Sequence, residues 1–306
     1  MPSEVIITAE QVIVMLLLLL LGAVIYKIKL LSDEGVKNLT GIALYVSTSA
    51  IIIDSYQMPF DEEILKKILL TGGIAVISHA LTVVIASLVF PKKERDYKVY
   101  RFASVFGNCG FMGIPLLSAV IEGGALYASV YVTVFNIFTW TYGVILYSGK
   151  REKGMIKRLL LSPVLISVVL GFAMFLLSVK LPRAIGDTVS YAASLNTPLA
   201  MMVTGASVAK GNFLSALKDK WTYLVIFVRH ILISVIMTLI LSFIPFIPTE
   251  ISLAASIMTA VPVASNTVMF ALKYDGNSKY SGELVVLSTI LSIVTIPLCV
   301  FINSLI

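Results

Sequence analysis

The sequence predicts an all-α polytopic membrane protein with ten transmembrane helices, arranged as two inverted five-helix repeats. Three observations support this prediction: apolar runs of membrane-spanning length follow one another, the composition is too apolar for a water-soluble fold, and two runs are interrupted at corresponding positions in the two halves. Hydrophobic residues make up 58% of the 306 residues and charged residues 13%, whereas charged residues make up about 25% of an ordinary soluble domain.

The apolar runs are each about 20 residues long, the length of helix that crosses the hydrocarbon core of a bilayer. We number them as spans 1 to 10, and they cover residues 6–26, 38–57, 64–90, 99–121, 124–148, 159–180, 187–209, 221–246, 250–272 and 283–305. Span 1 follows the acidic Glu4 and precedes Lys27 and Lys29, the reverse of the charge pattern of a cleaved signal peptide. We therefore expect span 1 to remain as a membrane helix.

Basic residues between the spans are concentrated on one side of the membrane. That side holds the loops after spans 1, 3, 5, 7 and 9, whereas the opposite loops hold only Lys66, Lys67, Lys180 and Arg183. Loops rich in lysine and arginine remain in the cytoplasm. We therefore expect a multi-pass protein of the plasma or inner membrane, with the 149–158 loop in the cytoplasm and both termini outside.

The same loop is the expected boundary between the two repeats, residues 1–148 and 159–306. Each repeat contains five spans, and because five is an odd number the second repeat must lie in the membrane inverted relative to the first. A short similarity supports this division, since Ser47-Thr48-Ser49 in span 2 corresponds to Asn196-Thr197-Pro198 in span 7.

Spans 4 and 9 contain residues that a membrane helix normally avoids. Span 4 includes the run Gly107-Asn108-Cys109-Gly110-Phe111-Met112-Gly113-Ile114-Pro115, and span 9 includes Ala260-Val261-Pro262-Val263-Ala264-Ser265-Asn266-Thr267. The expected helix-breaking residues are Gly107, Gly110, Pro115 and Pro262. Non-helical backbone at membrane depth must be shielded by protein or must line a watery cavity. Paired interrupted helices therefore indicate the binding site of a secondary transporter.

Spans 4 and 9 run in opposite directions, so the half-helices after the two breaks begin near the midplane and their N-termini converge. Each N-terminus presents unsatisfied N–H groups and a partial positive charge, which together can hold an anion without a buried lysine. Asn108 and Asn266 add amide donors, and Cys109, Pro262 and Val263 lie beside them in the predicted substrate site. The alternative is that both amides bond the broken backbone of a neighbouring helix.

Three other polar residues are candidate substrate contacts. Asn136 lies within span 5, where an isolated amide is costly unless it is paired. It contacts either the substrate or a neighbouring helix. Ser49 in span 2 and Thr197 in span 7 either face the site or serve as small residues that pack helices together.

Ionisable residues within spans are candidates for coupling, because each is expensive at that depth. Arg229 and His230 lie in span 8 and His79 lies in span 3. Histidine titrates near neutral pH, so His79 or His230 could carry a coupled proton. The alternative is that each imidazole stays neutral and bonds a backbone carbonyl.

The motifs resemble those of the auxin efflux carrier family, which includes the plant PIN-FORMED carriers and prokaryotic relatives. The run from Asn108 to Leu117 resembles the fourth helix of that family, Pro198-Leu199-Ala200 with Gly205-Ala206-Ser207 resembles its seventh, and Pro262-x-Ala264-x-Asn266 resembles its ninth. The resemblance implies that helices 4 and 9 cross, that helices 1, 2, 6 and 7 form a scaffold at a homodimer interface, and that helices 3–5 and 8–10 form a moving transport domain.

Two departures from the family pattern bear on substrate selectivity. The plant pattern has proline where this chain has Gly107, and many relatives have a proline in helix 2 where this chain reads Ser47-Thr48-Ser49. Glycine can still interrupt the helix, but plant-type selectivity does not carry over to this chain on the motif alone.

The sequence favours a transporter over an enzyme, since it contains neither an H-E-x-x-H zinc motif nor a G-x-S-x-G nucleophile elbow. We expect no cofactor, no metal site and no nucleic-acid partner. The expected partners are the lipid bilayer and a small organic anion, a mono- or dicarboxylate or an auxin-like indole acid, exported by elevator-type alternating access under the membrane potential. The alternative is a carboxylate symporter or antiporter coupled to Na⁺ or H⁺.

Overall fold

The computed structural model describes residues 3–150, 154–210 and 216–306, and helices account for nearly all of them. Residues 151–153 of the expected cytoplasmic loop lie outside the described residues. The α-helices are α1 Ser3–Lys27, α2 Asp33–Ile42, α3 Thr48–Ser55, α4 Glu62–Val89, α5 Tyr97–Val105, α6 Ile114–Val120, α7 Gly124–Phe138, α8 Val144–Ser148, α9 Met155–Leu160, α10 Pro163–Leu176, α11 Arg183–Ser194, α12 Asn196–Lys210, α13 Lys220–Ile226, α14 Ile233–Ser242, α15 Thr249–Ala260, α16 Asn266–Lys273 and α17 Ser278–Leu305.

Four π-helical segments and one 3₁₀ turn connect some of these helices. The π segments are Ala43–Ser47, Cys109–Gly113, Thr139–Gly143 and Phe227–Leu232, and the 3₁₀ turn is Ala216–Lys218. Because each π segment runs directly into the following α-helix, α2 with α3, α7 with α8, and α13 with α14 form continuous rods. Wide turns of this kind often occur at functional sites.

Six of the described rods are long and apolar enough to cross a membrane, which confirms a multi-pass helical membrane protein. They are Val5–Lys27, Asp33–Ser55, Glu62–Val89, Gly124–Ser148, Lys220–Ser242 and Ser278–Leu305, and they correspond to predicted spans 1, 2, 3, 5, 8 and 10. Spans 4, 7 and 9 are each divided into two pieces, and span 6 is the 14-residue α10. The ten-span inverted repeat therefore stays a prediction.

The breaks in spans 4 and 9 contain Gly107 and Pro262 but not the other two predicted helix-breaking residues. In span 4 the break covers residues 106–108, and the helix resumes at Cys109, so Gly110 lies within the resumed helix. Pro115 lies inside the continuous helix Cys109–Val120, so its assignment as a helix-breaking residue is wrong. Two features allow the helix to continue through Pro115. In the π segment the N–H groups reach back five residues, as from Ile114 to Cys109. Pro115 then lies in the first turn of α6, where a missing N–H is tolerated. In span 9 the break covers residues 261–265.

The helices pack in two groups. In the first, α1 packs on α12, and α3 packs on α10 and α11. In the second, α4 packs on α7, while α15 packs on α14 and α17. The groups touch where α1 meets α6 and α17, and where α3 and α10 meet α7.

Close contact between α1 and α12 depends on two glycines. A Cβ atom on Gly22 would overlap the backbone of Met202, and a Cβ atom on Gly205 would overlap the carbonyl oxygen of Leu19. Without side chains at these positions, the two backbones touch directly, which is the usual way that small residues hold membrane helices together.

We predict that Gly205→Ala destabilises the protein by about 1–3 kcal/mol, the typical cost of overpacking a filled interior. The matched control is Gly73→Ala in α4, where a Cβ atom would have no neighbour within 4 Å. Unfolding of both variants in detergent measures the difference. Equal stability of the two variants would show that α1 and α12 do not pack through this glycine.

Candidate functional site

The breaks in spans 4 and 9 pair with each other. The N–H of Asn108 donates to the carbonyl oxygen of Pro262 at 2.7 Å, and the N–H of Ala264 donates to that of Phe106 at 2.9 Å. Between these two bonds, Gly107 and Val263 form an antiparallel bridge. Non-helical backbone at depth is stable only when its polar groups find partners, and here each break supplies partners for the other. We call this paired region the crossover.

Arg229 lies directly against the crossover. Its Nε donates to the carbonyl oxygen of Val261 at 3.0 Å, Nη1 to that of Val105 at 3.2 Å, and Nη2 to that of Met258 at 2.9 Å. Val105 ends α5, and Met258 and Val261 belong to the C-terminal end of α15. Since the last carbonyls of a helix lack partners and carry partial negative charge, one guanidinium caps the C-terminal ends of both half-helices.

Position 107 must be glycine because Arg229 leaves no space for a side chain there, not because of its backbone angles. Its φ is not positive, but a Cβ atom at this position would overlap the guanidinium of Arg229. The sequence reasoning identified Gly107 as a helix-breaking residue and Arg229 as a coupling candidate, and it missed the contact between them. The sequence indicates this contact only weakly, through an arginine and a glycine that each lie in the middle of a span.

A cavity of about 220 Å³ adjoins the crossover. Its lining contains six of the predicted site residues, Gly107, Asn108, Cys109, Gly110, Asn136 and Asn266, together with Thr40, Leu44, Thr48, Phe111, Val132, Phe135, Val164, Ala264, Ser265 and Met269. No charged side chain lines this cavity among the residues that the structure describes. It is therefore an apolar chamber with a small number of polar groups, as is usual for small-molecule sites.

Three backbone N–H groups at this cavity have no partner in the described part of the chain. They belong to Gly110 at the start of one half-helix, and to Ser265 and Asn266 at the start of the other. The carbonyl that Gly110 would reach in an unbroken helix, on Phe106, accepts from Ala264 instead. Residues with free N–H donors at both half-helix N-termini thus line one cavity, which is an arrangement suited to an anion.

The side chain of Asn108 caps one of these N-termini and also faces the cavity. Its Oδ1 accepts from the N–H of Phe111 at 3.3 Å, and the residue is only 7% exposed. A backbone N–H can bond only the oxygen of the amide, so Nδ2 is the end that has no partner among the described residues. The bond of Asn108 to Phe111 lies within span 4 and does not reach the neighbouring helix that the alternative named. Substrate contact by Asn108 stays a prediction.

The side chain of Asn136 has the opposite orientation. Its Nδ2 donates to the carbonyl oxygen of Val132 at 2.8 Å, within α7. A carbonyl can bond only the nitrogen of the amide, so Oδ1 is the end without a partner in the part of the chain that the structure describes. The structure does not pair Asn136 with another helix.

Four other predicted substrate contacts do not line the cavity. Pro262 and Val263 are buried in the crossover, where Val263 donates its N–H to Ser288 Oγ at 2.7 Å. Ser49 and Thr197 are also absent from the lining.

Thr48, the residue before Ser49, takes the position predicted for Ser49, and Asn196, the residue before Thr197, supports it. Thr48 lines the cavity, and its hydroxyl accepts a hydrogen bond from Nδ2 of Asn196 at 2.9 Å. The π segment Ala43–Ser47 adds a residue to the turn before α3, which changes the face that each following side chain occupies. Sequence periodicity alone does not reveal such an insertion. Ser265 also lines the cavity and was not among the predicted residues, because its only signal in the sequence is its place in the second break.

Both histidines lie away from the cavity. His79 Nδ1 bonds the carbonyl oxygen of Ala75 at 2.8 Å, and its ring packs against Tyr131 and Phe138. His230 Nδ1 bonds Thr295 Oγ1 at 2.7 Å. The backbone bond considered as the alternative is therefore present for His79, whereas His230 bonds a hydroxyl.

Two larger cavities share a lining residue with the crossover cavity. Ser265 lines all three, and the larger cavities have volumes of about 500 Å³ and about 1030 Å³. Their walls carry charged side chains of both signs, the basic Lys37, Lys210, Lys273 and Lys279 and the acidic Asp33, Glu34 and Glu283. The lysines belong to the loops that we expect in the cytoplasm, and the side toward which the crossover cavity opens stays a prediction.

Apolar rods of membrane-spanning length around an interior chamber at two interrupted helices define a membrane transport protein. The sequence matches the family described as "Membrane transport protein" over residues 7–300. The chain belongs to this family, which confirms the resemblance to the auxin efflux carriers and assigns the protein to the transporters rather than to the enzymes.

One curated relative is an uncharacterized transporter of Methanocaldococcus jannaschii. It is 24% identical to this chain over 191 residues, and the match covers 59% of this chain and 62% of the relative. The chain thus spans less than two thirds of the length of that relative. The similarity supports the transporter class and carries no information about a substrate.

We predict that Gly107→Ala destabilises the protein by about 1.5–3 kcal/mol, because the displaced guanidinium would lose at least one hydrogen bond from a charged donor. Gly110→Ala is the matched control, since a Cβ atom on Gly110 would have no neighbour within 4 Å. Thermal unfolding in detergent distinguishes the two variants. If Gly107→Ala unfolds at the same temperature as Gly110→Ala, the arginine does not depend on this glycine.

Proposed function

We propose that this protein is a secondary transporter that exports a small organic anion through the crossover cavity by alternating access. The main support is the group of converging donors, which consists of the N–H groups of Gly110, Ser265 and Asn266 and the free Nδ2 of Asn108. Donors of this kind bind a carboxylate without neutralising it by a proton. Because these donors come from two separate chain segments and line one cavity, we assign them to substrate binding rather than to structural support.

Charge around the cavity also favours an anion. Arg229 is 3% exposed and forms no ion pair in the described part of the chain. Gly107 contacts the guanidinium on one side and lines the cavity on the other. Since a fixed charge in a low-dielectric interior is poorly screened, the arginine and the two half-helix N-termini together create a positive potential in the chamber.

The same arginine argues against coupling to sodium. A sodium site needs several converging oxygen atoms, and the carbonyl oxygens that converge behind the crossover, on Val105, Met258 and Val261, already accept hydrogen bonds from the guanidinium. The cavity offers no carboxylate in its described lining. The guanidinium is a permanent positive charge at this position. It therefore takes the place of a sodium ion that would have to bind and leave in each transport cycle.

The membrane potential supplies a sufficient driving force for export. Moving one charge across 100 mV is worth about 2.3 kcal/mol, and an inside-negative potential drives anions outward. The neighbouring cavities that share Ser265 are lined by Lys37, Lys210, Lys273 and Lys279, which we expect on the cytoplasmic side. A carrier that exports must load its substrate from that side. Neither histidine reaches the cavity, so a coupled proton has no evident carrier there.

We further propose an inverted repeat of ten spans in which spans 4 and 9 cross, with transport by an elevator-type movement. Both packing groups contribute to the cavity: Val164 of α10 lines it from the first group, and Phe135 of α7 lines it from the second. Movement of the second group along the first would therefore carry the site across the membrane. In accord with the family resemblance, the first group is the scaffold and forms a homodimer.

Asn108 provides the experiment for the site. We predict that Asn108→Ala weakens carboxylate binding by about 1–3 kcal/mol, the cost of leaving a buried polar group without its partner. We expect Asn108→Asp to bind still more weakly, because its charge would repel the substrate and compete for the same N–H groups. Binding is measured on purified protein by thermal shift or calorimetry, and wild-type affinity in a folded Asn108→Asp protein would place the substrate elsewhere.

Ion replacement tests the driving force. We predict that carboxylate affinity is the same in sodium, potassium and choline buffers, because Arg229 occupies the oxygen atoms that a sodium ion would need. A decrease in affinity of tenfold or more on removing sodium would favour the sodium-coupled alternative. The proton-coupled alternative would be favoured if transport became independent of pH in a folded His79→Gln or His230→Gln protein.

A further inference from the structure

A further cavity lies beside the loop that joins the two expected repeats. Its volume is about 500 Å³, and its lining includes Tyr45, Trp140, Lys157, Leu161, Ser162 and Pro163. None of the residues in its described lining also lines the crossover cavity. The loop cavity, as we call it, therefore has walls of its own.

Two of the π segments each contribute an aromatic side chain to the loop cavity. Tyr45 belongs to the segment Ala43–Ser47 in the rod of α2 and α3, and Trp140 belongs to the segment Thr139–Gly143 in the rod of α7 and α8. The helix α9 packs on Thr139–Gly143, and α10 packs on Ala43–Ser47. Since α3 and α10 belong to the first packing group and α7 to the second, elements of both groups surround the loop cavity.

Every polar side chain in the described lining can donate a hydrogen bond. Lys157 and Trp140 can only donate, and Tyr45 and Ser162 carry hydroxyl groups. Ser162 Oγ accepts from the N–H of Leu165 at 3.3 Å, which leaves its O–H to donate. Lys157 forms no ion pair with a described residue, and no carboxylate lines the cavity in that part of the chain. The lining therefore suits an anion.

Exposed apolar side chains beside the loop cavity indicate a lipid as the source of that anion. Tyr45 and Leu161 are each 61% exposed, and the neighbouring Leu160 is also exposed. Leu160 and Leu161 lie where expected span 6 begins after the 149–158 loop, so we expect them at the cytoplasmic surface of the membrane. Tyrosine and tryptophan concentrate at that level, and basic pockets between helices on the cytoplasmic side bind lipid head groups.

We propose that the loop cavity binds the head group of an anionic phospholipid. Its phosphate accepts hydrogen bonds from Lys157, Trp140 and Ser162, and its acyl chains lie against Leu160 and Leu161. Because the rod of α2 and α3 and the rod of α7 and α8 both line the cavity, the lipid contacts both packing groups and stabilises their present arrangement. The site is independent of the substrate that binds at the crossover.

Quenching of tryptophan fluorescence by brominated lipids tests the proposal. The chain has two tryptophans, so Trp221→Phe leaves Trp140 as the reporter, and phenylalanine retains a ring for the stacking contact with Tyr100. The purified full-length protein is placed in phosphatidylcholine vesicles that contain an increasing fraction of brominated phosphatidylglycerol or of brominated phosphatidylcholine. The two brominated lipids differ in the charge of the head group, so the ratio of their quenching efficiencies measures selectivity for the anion.

Lys157→Gln and Lys150→Gln are compared in this background. Both substitutions remove one positive charge from the 149–158 loop, but only Lys157 lines the loop cavity. We expect phosphatidylglycerol to quench Trp140 about fivefold more efficiently than phosphatidylcholine, the selectivity that one basic side chain at a membrane surface supplies. Lys157→Gln should abolish this selectivity, and Lys150→Gln should leave it unchanged.

Equal quenching by the two lipids in the Trp221→Phe background would overturn the proposal, and so would a selectivity that persists in a folded Lys157→Gln protein. An equal loss in Lys150→Gln would show that only the general charge of the loop attracts the lipid. Displacement of the brominated lipid by inorganic phosphate would identify a soluble anion as the ligand instead. Carboxylate binding at the crossover is measured on the same proteins and should not change in Lys157→Gln, so failure of this inference leaves the proposed function standing.

Discussion

The hydrogen bonds from Arg229 to three backbone carbonyls are the interaction on which the rest of the site depends. Two interrupted helices cannot meet inside a membrane unless the exposed carbonyl ends are neutralised, because water is absent there. One guanidinium serves both helices, and its charge strengthens each bond relative to a neutral donor. Gly107 provides the space for it. The crossover is thus held together by a charge that belongs to the protein itself.

This arrangement gives the two kinds of helix end different roles. The C-terminal ends of the half-helices are occupied permanently by Arg229, whereas the N-terminal ends at Gly110 and Asn266 keep free donors. An anion bound at the N-terminal ends would complete the set of partners that the interrupted backbone lacks. Under the proposed elevator-type movement, a bound anion would therefore stabilise the crossover while the crossover carries it across the bilayer.

Sequence reasoning succeeded where composition and helix-breaking residues decide the structure. Apolar length placed the uninterrupted rods, and the glycine, proline and asparagine content of spans 4 and 9 located the two breaks to within a few residues. It failed where a π segment adds one residue to a helical turn. The segment Ala43–Ser47 precedes Thr48, which lies in the cavity in place of Ser49, and the segment Cys109–Gly113 precedes Pro115, which lies inside a helix. The contact between Arg229 and Gly107 joins residues that are distant in the chain, so no local pattern contains it.

The central claim is that the anion binds at the converging helix N-termini, and a cryo-electron microscopy structure with a bound monocarboxylate tests it most directly. The account predicts carboxylate density within hydrogen-bond distance of the N–H of Gly110 and Nδ2 of Asn108, with Arg229 still bonded to its three carbonyls. Carboxylate density found only in the cavity of about 500 Å³ beside Lys210 and Lys279, or in direct contact with Arg229, would contradict this prediction.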